Sequence, residues 1–227
     1  MVSPESRLCP PGWAGVVSLG GGTLVTVPEA GLAGRFTEPM PDLAALARDA
    51  REALGPAVLA YLDEADFVPA HAGAESLPPG HGDVMALLAG VSEADARECG
   101  LDEVTSSVYV LRDGHEVVAA SAYTAWPEST AHVSLLTAAT HRGRGLARVV
   151  ASAAVADALA RGLLPQWRAR PEASRRVARA LGFREHGGQL SVHLAPDGPG
   201  ARLSARLTSG GPGAVSADQS SVDGGSA

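Results

Sequence analysis

A chain of 227 residues, 45% of them hydrophobic, can bury a substantial core, but at 4% aromatic content that core must be built from Ala, Val and Leu. A net charge of -7 argues against general nucleic-acid affinity, and no apolar run approaches the ~20 residues needed to cross a bilayer. Cys9 and Cys99 are too few for a disulfide framework, the seven His lack metal-ligand spacing, and the N-terminus lacks a basic region followed by an apolar core, so a cytoplasmic protein without a metal is expected.

Along the chain, residues 1–12 read as an irregular lead broken by Pro4, Pro10 and Pro11. Val16–Leu19 and Thr23–Val27 flank a triple-glycine turn and predict a β-hairpin. Pro41-Asp42 opens a predicted helix through about Ala53, with Leu43, Leu46, Ala47 and Ala50 on one stripe and Gly55-Pro56 ending it. A short strand over 58–62 completes a small N-terminal αβ lobe, which stops in the Pro/Gly-rich stretch 77–82.

Met85 to Leu88 forms a strand or a helix turn, and Ser92 caps a short helix to Cys99 with acids in its first turn. Runs 104–111 and 116–123 surround Asp113-Gly114, a strong hairpin signal, and 131–137 can add a third antiparallel strand. From Leu146 the apolar positions Val149, Val150, Ala153, Ala156 and Ala160 recur at helical spacing, with Gly162 beyond the end. A strand over 163–169, a helix bracketed by Pro171 and Gly182, and a last strand over 189–194 follow. The Gly/Ser-rich sequence 196–227 has little to bury and reads as a disordered tail.

One stretch carries chemistry. A strand-like run to Thr137 leads through a loop into Arg142-Gly143-Arg144-Gly145-Leu146-Ala147 and a long amphipathic helix. Glycines let the backbone turn tightly, and the helix start points unpaired N–H groups and a positive dipole end into the turn, which suits a phosphate. All 18 basic residues are Arg, and the window 142–184 holds ten Arg against two acids, Asp157 and Glu172, a cationic field in an acidic protein.

These residues resemble the GNAT superfamily of acyl-CoA-dependent N-acyltransferases. Arg142, Gly145 and Ala147 occupy the fixed positions of its Arg/Gln-x-x-Gly-x-Gly/Ala loop, and Leu181-Gly182-Phe183 supplies the family's -LGF-. Residues 162–167 and Pro171-x-x-Ser174 are similar to a bacterial branch. The resemblance covers about residues 83–195 and implies an α/β (α+β) fold: a mixed, mostly antiparallel central sheet flanked by helices. The organisation expected is a lobe over 1–82, a GNAT domain over 83–195 and a tail over 196–227.

The resemblance also implies acetyl-CoA as co-substrate, held by Leu135, Leu136 and Thr137 and by Arg142, Gly143, Arg144, Gly145, Leu146 and Ala147, with Arg148 and Arg175 as further phosphate candidates. The family's acid, a Tyr, falls at Ala178, and its Asn near the start of the same helix falls at Pro171, so Ser174 is the candidate on that helix. His132 is the first candidate base because it titrates near neutrality, although counting along the motif puts the Glu of histone-acetylating relatives at Ala131. Glu98, Tyr123 and Glu128 follow, and Trp126 and Trp167 are candidates to shape an acceptor pocket.

The function expected is direct transfer of an acetyl or other short acyl group to a primary amine on a small molecule or peptide. The acidic surface weakly favours a cationic acceptor. A catalytically silent coenzyme A sensor and an Arg-rich nucleic-acid binder are the rivals. A homodimer is one option for the oligomeric state.

Overall fold

The computed structural model describes residues 1–6, 9–36, 42–70, 73–126 and 129–194. Its centre is one nine-stranded sheet, with β1 at Ala14–Leu19, β2 at Gly22–Thr26, β3 at Glu52–Tyr61, β4 at Glu75–Leu77, β5 at Val108–Asp113, β6 at Glu116–Ala125, β7 at Thr130–Thr137, β8 at Leu164–Ala169 and β9 at Arg184–His193. The spatial order is β2-β1-β9-β3-β8-β7-β6-β5-β4. Neighbours are antiparallel except β7 and β8, which run parallel. The α-helices among the described residues are α1 (Leu43–Asp49), α2 (Gly82–Ala89), α3 (Glu93–Cys99), α4 (Leu146–Ala160) and α5 (Glu172–Ala180).

The period-2 pattern of β6 and β7 separates two cores. Ala120, Ala122 and Leu136 face α2 and α3 through Val84, Leu87, Leu88 and Cys99. Val133 and Leu135 face α4 and α5 with Ala151, Val155 and Ala178. Ala151, Ala154 and Ala158 are all buried, and such small side chains let α4 lie close against the strands. A third cluster joins Val16, Leu46, Leu190 and Val192 around β1, β9 and α1. The aromatic-poor composition is thus met by Ala, Val and Leu, each fully buried Val or Leu contributing about 1.5–3 kcal/mol of hydrophobic stabilisation.

Local signals set several ends. Ser92 Oγ accepts from the Asp95 N–H at 3.1 Å, capping α3, and Asp42 does the same for α1. At the -LGF-, Gly182 has φ +100°, and a Cβ there would lie 2.0 Å from the Asp66 carbonyl oxygen, so only glycine admits the crossing segment. Leu181 and Phe183 on either side are buried.

Tertiary pairing shifts other boundaries. The helix expected to run to Ala53 stops at Asp49, because Glu52, Ala53 and Leu54 pair with β9. Gly55-Pro56 therefore ends no helix and sits at a register shift inside β3. The strand expected from Val104 begins at Val108, the last strand begins at Arg184 rather than Gln189, and Met85 to Leu88 is helical. Strands β1 and β2 join the sheet through β9, and β3 lies between β9 and β8, so residue 82 marks no break in the sheet. The tail expected over 196–227 lies outside the described residues, as does Glu128.

Candidate active site

Gly143 and Gly145 both have φ +79°, a left-handed conformation that favours glycine, and the space a Cβ would occupy at each is open. Gly145 is the N-cap of α4. The N–H groups of residues 143–147 find no acceptor among the described residues, whereas Arg148 N–H already donates to the Gly145 carbonyl at 3.1 Å. A row of free donors thus meets the positive end of the α4 dipole in front of an open surface. Arg142 steadies the turn by donating from Nε to the Thr137 carbonyl at 3.2 Å and pairing with Asp95 of α3 at 3.0 Å.

The hollow beside this turn comes from the sheet itself. Strands β7 and β8 pair only at Thr130↔Leu164, Ala131↔Pro165 and His132↔Gln166, then diverge. Past His132, β7 loses its neighbour on that side and a cleft of about 470 Å³ opens, lined by Leu135, Leu136 and Thr137 of β7, Ala169 of β8 and the 143–147 turn. Two buried polar atoms on cleft-lining residues, Thr137 Oγ1 and Arg148 Nε, have no partner among the described residues. Such orphans carry a desolvation cost that a polar ligand would relieve. Open glycines, free amides, a guanidinium and a hydroxyl along one cleft fit the pyrophosphate and amide-bearing arm of coenzyme A.

At the inner end, His132 Nδ1 lies 3.0 Å from Gln166 Oε1, and Gln166 Nε2 donates to the Tyr61 hydroxyl at 2.8 Å. With the amide nitrogen so engaged, Nδ1 carries the hydrogen and Nε2 keeps its lone pair. Burial, then the nearby Arg168 cation, pushes the His132 pKa down to about 4. Ser174 Oγ accepts from Trp167 Nε1 at 3.0 Å, which leaves its own O–H to donate, and both residues line the cleft. Both Glu98 oxygens are engaged by Arg170, Nε reaching Oε1 at 3.0 Å.

The structure therefore brings His132, Ser174, Glu98 and every cofactor candidate except Arg144 to one cleft, with Arg144 directed to the Thr140 carbonyl. Other candidates fall elsewhere. Tyr123 Oη donates to Asp157 at 2.6 Å in a cluster with Ala131 and Ala158, and burial plus that carboxylate raise its pKa, so it is no base for the cleft. Ala131 shares that face and does not line the cleft, whereas His132, on the other face of β7, does. Arg175 is tied to Glu185 at 2.7 Å and Glu172 at 3.3 Å, while Arg176, not singled out from the sequence, lines the cleft. Trp126 lines a neighbouring cavity, and Trp167 stacks edge-on to Phe183 at 5.3 Å. Gln166 and Arg168 were also not singled out, because only the β7/β8 register sets them beside His132.

Residues 107–188 match the family model described as GNAT acetyltransferase, which bears out the resemblance read from the sequence. Among solved structures, the chain is similar to a protein described as an acetyltransferase from the GNAT family of Novosphingobium aromaticivorans, with 21% identity and a TM-score of 0.51 over 63% of this chain and 65% of that one. It is also similar to a GCN5-related N-acetyltransferase from Kribbella flavida, with 20% identity and a TM-score of 0.48 over 70% of this chain and 65% of that one. The chain thus spans just under two thirds of the length of either relative. The first of these likenesses supports the fold. No curated protein matches the chain.

Proposed function

We propose that this chain, whose residues 107–188 carry the GNAT acetyltransferase pattern, transfers an acetyl or short acyl group from acetyl-CoA to the nitrogen of a primary amine by direct attack. The observation that carries this reading is the row of free N–H groups at residues 143–147 opening on the cleft between β7 and β8. Acetyl-CoA would supply an activated thioester. The 143–147 amides, with Arg148 and Arg176 in the same cleft, would hold its phosphates, and the β7 edge from Leu135 to Thr137 would hold its arm.

His132 is neutral at physiological pH, because its pKa of about 4 lies well below it. Its role is to accept a hydrogen bond from the amine or from a water through Nε2 and so orient the nitrogen lone pair. Being a weak base, it does not strip an ammonium by itself. The Ser174 hydroxyl is the donor in the cleft suited to the departing sulfur, since Trp167 holds its oxygen in place. Ala178, at the position of the family's Tyr, is only 2% exposed and reaches nothing in the cleft. That substitution favours a second reading, a coenzyme A-binding module without turnover. A nucleic-acid surface has less support, because Arg142, Arg161, Arg170, Arg175, Arg179 and Arg184 are already in ion pairs.

Among the described residues no helix is long and apolar enough to cross a membrane. With Cys9 and Cys99 both free thiols, we read the reaction as cytoplasmic.

Free-thiol release from acetyl-CoA, measured over an amine panel, tests the reading, with Gly145→Asp as control. The variant places bulk and negative charge where the phosphate is expected, and it should abolish both coenzyme A-induced thermal stabilisation and turnover. Unchanged coenzyme A affinity in Gly145→Asp would reject the loop. Stabilisation without thiol release in the parent protein would favour the silent module.

A further inference from the structure

Two cavities adjoin the cleft on the face that carries α3. One of about 580 Å³ is bounded by Leu54 and Ala57 of β3, Gln189 and Ser191 of β9 and Arg97 of α3. The other, of about 310 Å³, includes Trp126, His132 and Gln166. Glu98 and Arg168 line both of them and the cleft as well, so the three spaces meet at this pair of residues.

The charge at the junction is unbalanced. Glu98 is neutralised by Arg170 through both oxygens. Among the described residues Arg168 has no carboxylate within ion-pair distance, and Glu98 is the one carboxylate lining the larger cavity, against Arg97, Arg168 and Arg170. Arg97 meets Glu93 at 3.2 Å in a pair exposed to solvent on both sides, which contributes little. Partial burial and the neighbouring Arg170 cation lower the Arg168 pKa, but the side chain stays exposed to solvent at the junction, where an anion can reach it. The site thus has the opposite sign to the acidic surface, which by itself had favoured a cationic acceptor.

Position on β8 brings the cation near His132. Arg168 lies two residues beyond Gln166, on the same side of the strand, and Gln166 pairs with His132. Two strand residues span about 6–7 Å. Arg168 and His132 are thus close enough for the two ends of one small ligand to reach both.

We propose that the acceptor is an amine carrying its own carboxylate, an amino acid or short peptide, whose carboxylate is bound by Arg168 in the larger cavity while its amino nitrogen sits at His132. This deepens and rests on the acetyl-transfer reading. The new bond joins the amine nitrogen to the acetyl carbon, the carbon–sulfur bond breaks, the thiol sulfur gains a proton and the nitrogen loses one. The carboxylate remains unchanged.

The experiment uses the full chain saturated with acetyl-CoA for turnover and with coenzyme A for binding. L-amino acids, β-alanine, γ-aminobutyrate and dipeptides are each compared with the neutral amide of the same skeleton. Thiol release is read as kcat/KM and binding as ligand-induced thermal shift. At least one acid should exceed its amide by about tenfold or more in kcat/KM, since a charge-assisted contact is lost in the amide. Arg168→Gln should collapse that ratio towards one, and Arg168→Lys should keep part of it.

Amides equal to or better than every acid in the parent protein would overturn the proposal, as would a ratio that survives in Arg168→Gln. If no amine releases thiol, the transfer reading fails while binding still decides this one. A carboxylate-selective thermal shift that disappears in Arg168→Gln upholds it, and equal shifts for acids and amides overturn it.

Discussion

His132 shows how much an environment can change a residue that the sequence offers only as a type. Free His has a pKa of ~6.5, whereas burial holds this one at about 4. Between those values the unfolded chain takes up a proton that the folded protein refuses. Stability is therefore complete above pH ~6.5 and falls as the pH drops towards about 4, by about 2 kcal/mol between pH 7.5 and 5. The carboxylates whose pKa is lowered, Asp157 and Glu185 among them, act in the same direction but at lower pH, which leaves this window to His132. Urea unfolding of the parent and of His132→Gln at both pH values checks this. The variant should lose less stability on acidification, and an equal loss in both proteins would contradict the burial argument. The candidacy of His132 was legible as a histidine near the strand that feeds the turn. Its partner Gln166 was not, because the contact spans 34 residues and depends on a parallel pairing that no local pattern encodes.

The segments most legible in the sequence were those whose ends carry their own chemistry. Helix α4 begins at a left-handed Gly145, α3 at Ser92 with its cap bond, and both were placed from residue type and spacing alone. The ends of helix α1 and strands β3 and β9 are less legible, because pairing of residues 52–54 with 191–193 overrides a helix-like apolar stripe, and pairing of Gly187 and Gly188 with Leu59 and Val58 and with Leu19 and Ser18 overrides their strand-averse character. The -LGF- lies between these cases. Its glycine was readable as a helix stop, yet the reason that no other residue fits is the carbonyl of Asp66 from a distant turn. Gly182→Ala should accordingly cost about 2–4 kcal/mol, combining a left-handed backbone penalty with a clash against main chain that cannot swing aside. Thermal or urea unfolding measures it. An unchanged midpoint would mean that the 63–68 segment can move off the helix end, and the Val68 N–H bond to the Leu181 carbonyl would then prove dispensable.

For the molecule as a whole, the decisive feature is that β3 comes from the N-terminal third yet sits between β8 and β9, strands from the far end of the chain. The change of composition near residue 82 suggests a boundary that the sheet ignores. Composition reports where the chain turns polar and glycine-rich, and it carries no information on which strand a later strand will seek. The consequence is physical. A fragment starting at residue 83 would leave β8 and β9 without the strand that joins them, exposing two inner edges. It would also uncover Leu190 and Val192, which pack against Val16 and Leu46, and Trp167 and Phe183, which share a cluster with Ala60 and Leu62. At about 1.5–3 kcal/mol for each large apolar side chain, these losses approach the about 5–15 kcal/mol that stabilises a domain. Residues 83–195 expressed alone should therefore lack cooperative unfolding, bind a hydrophobic dye and give no thermal response to coenzyme A, and co-expression with residues 1–82 should restore all three properties. A fragment that unfolds cooperatively and binds coenzyme A unaided would show that the β7–β8 cleft is held open by its own helices, and that the N-terminal strands serve the acceptor side alone.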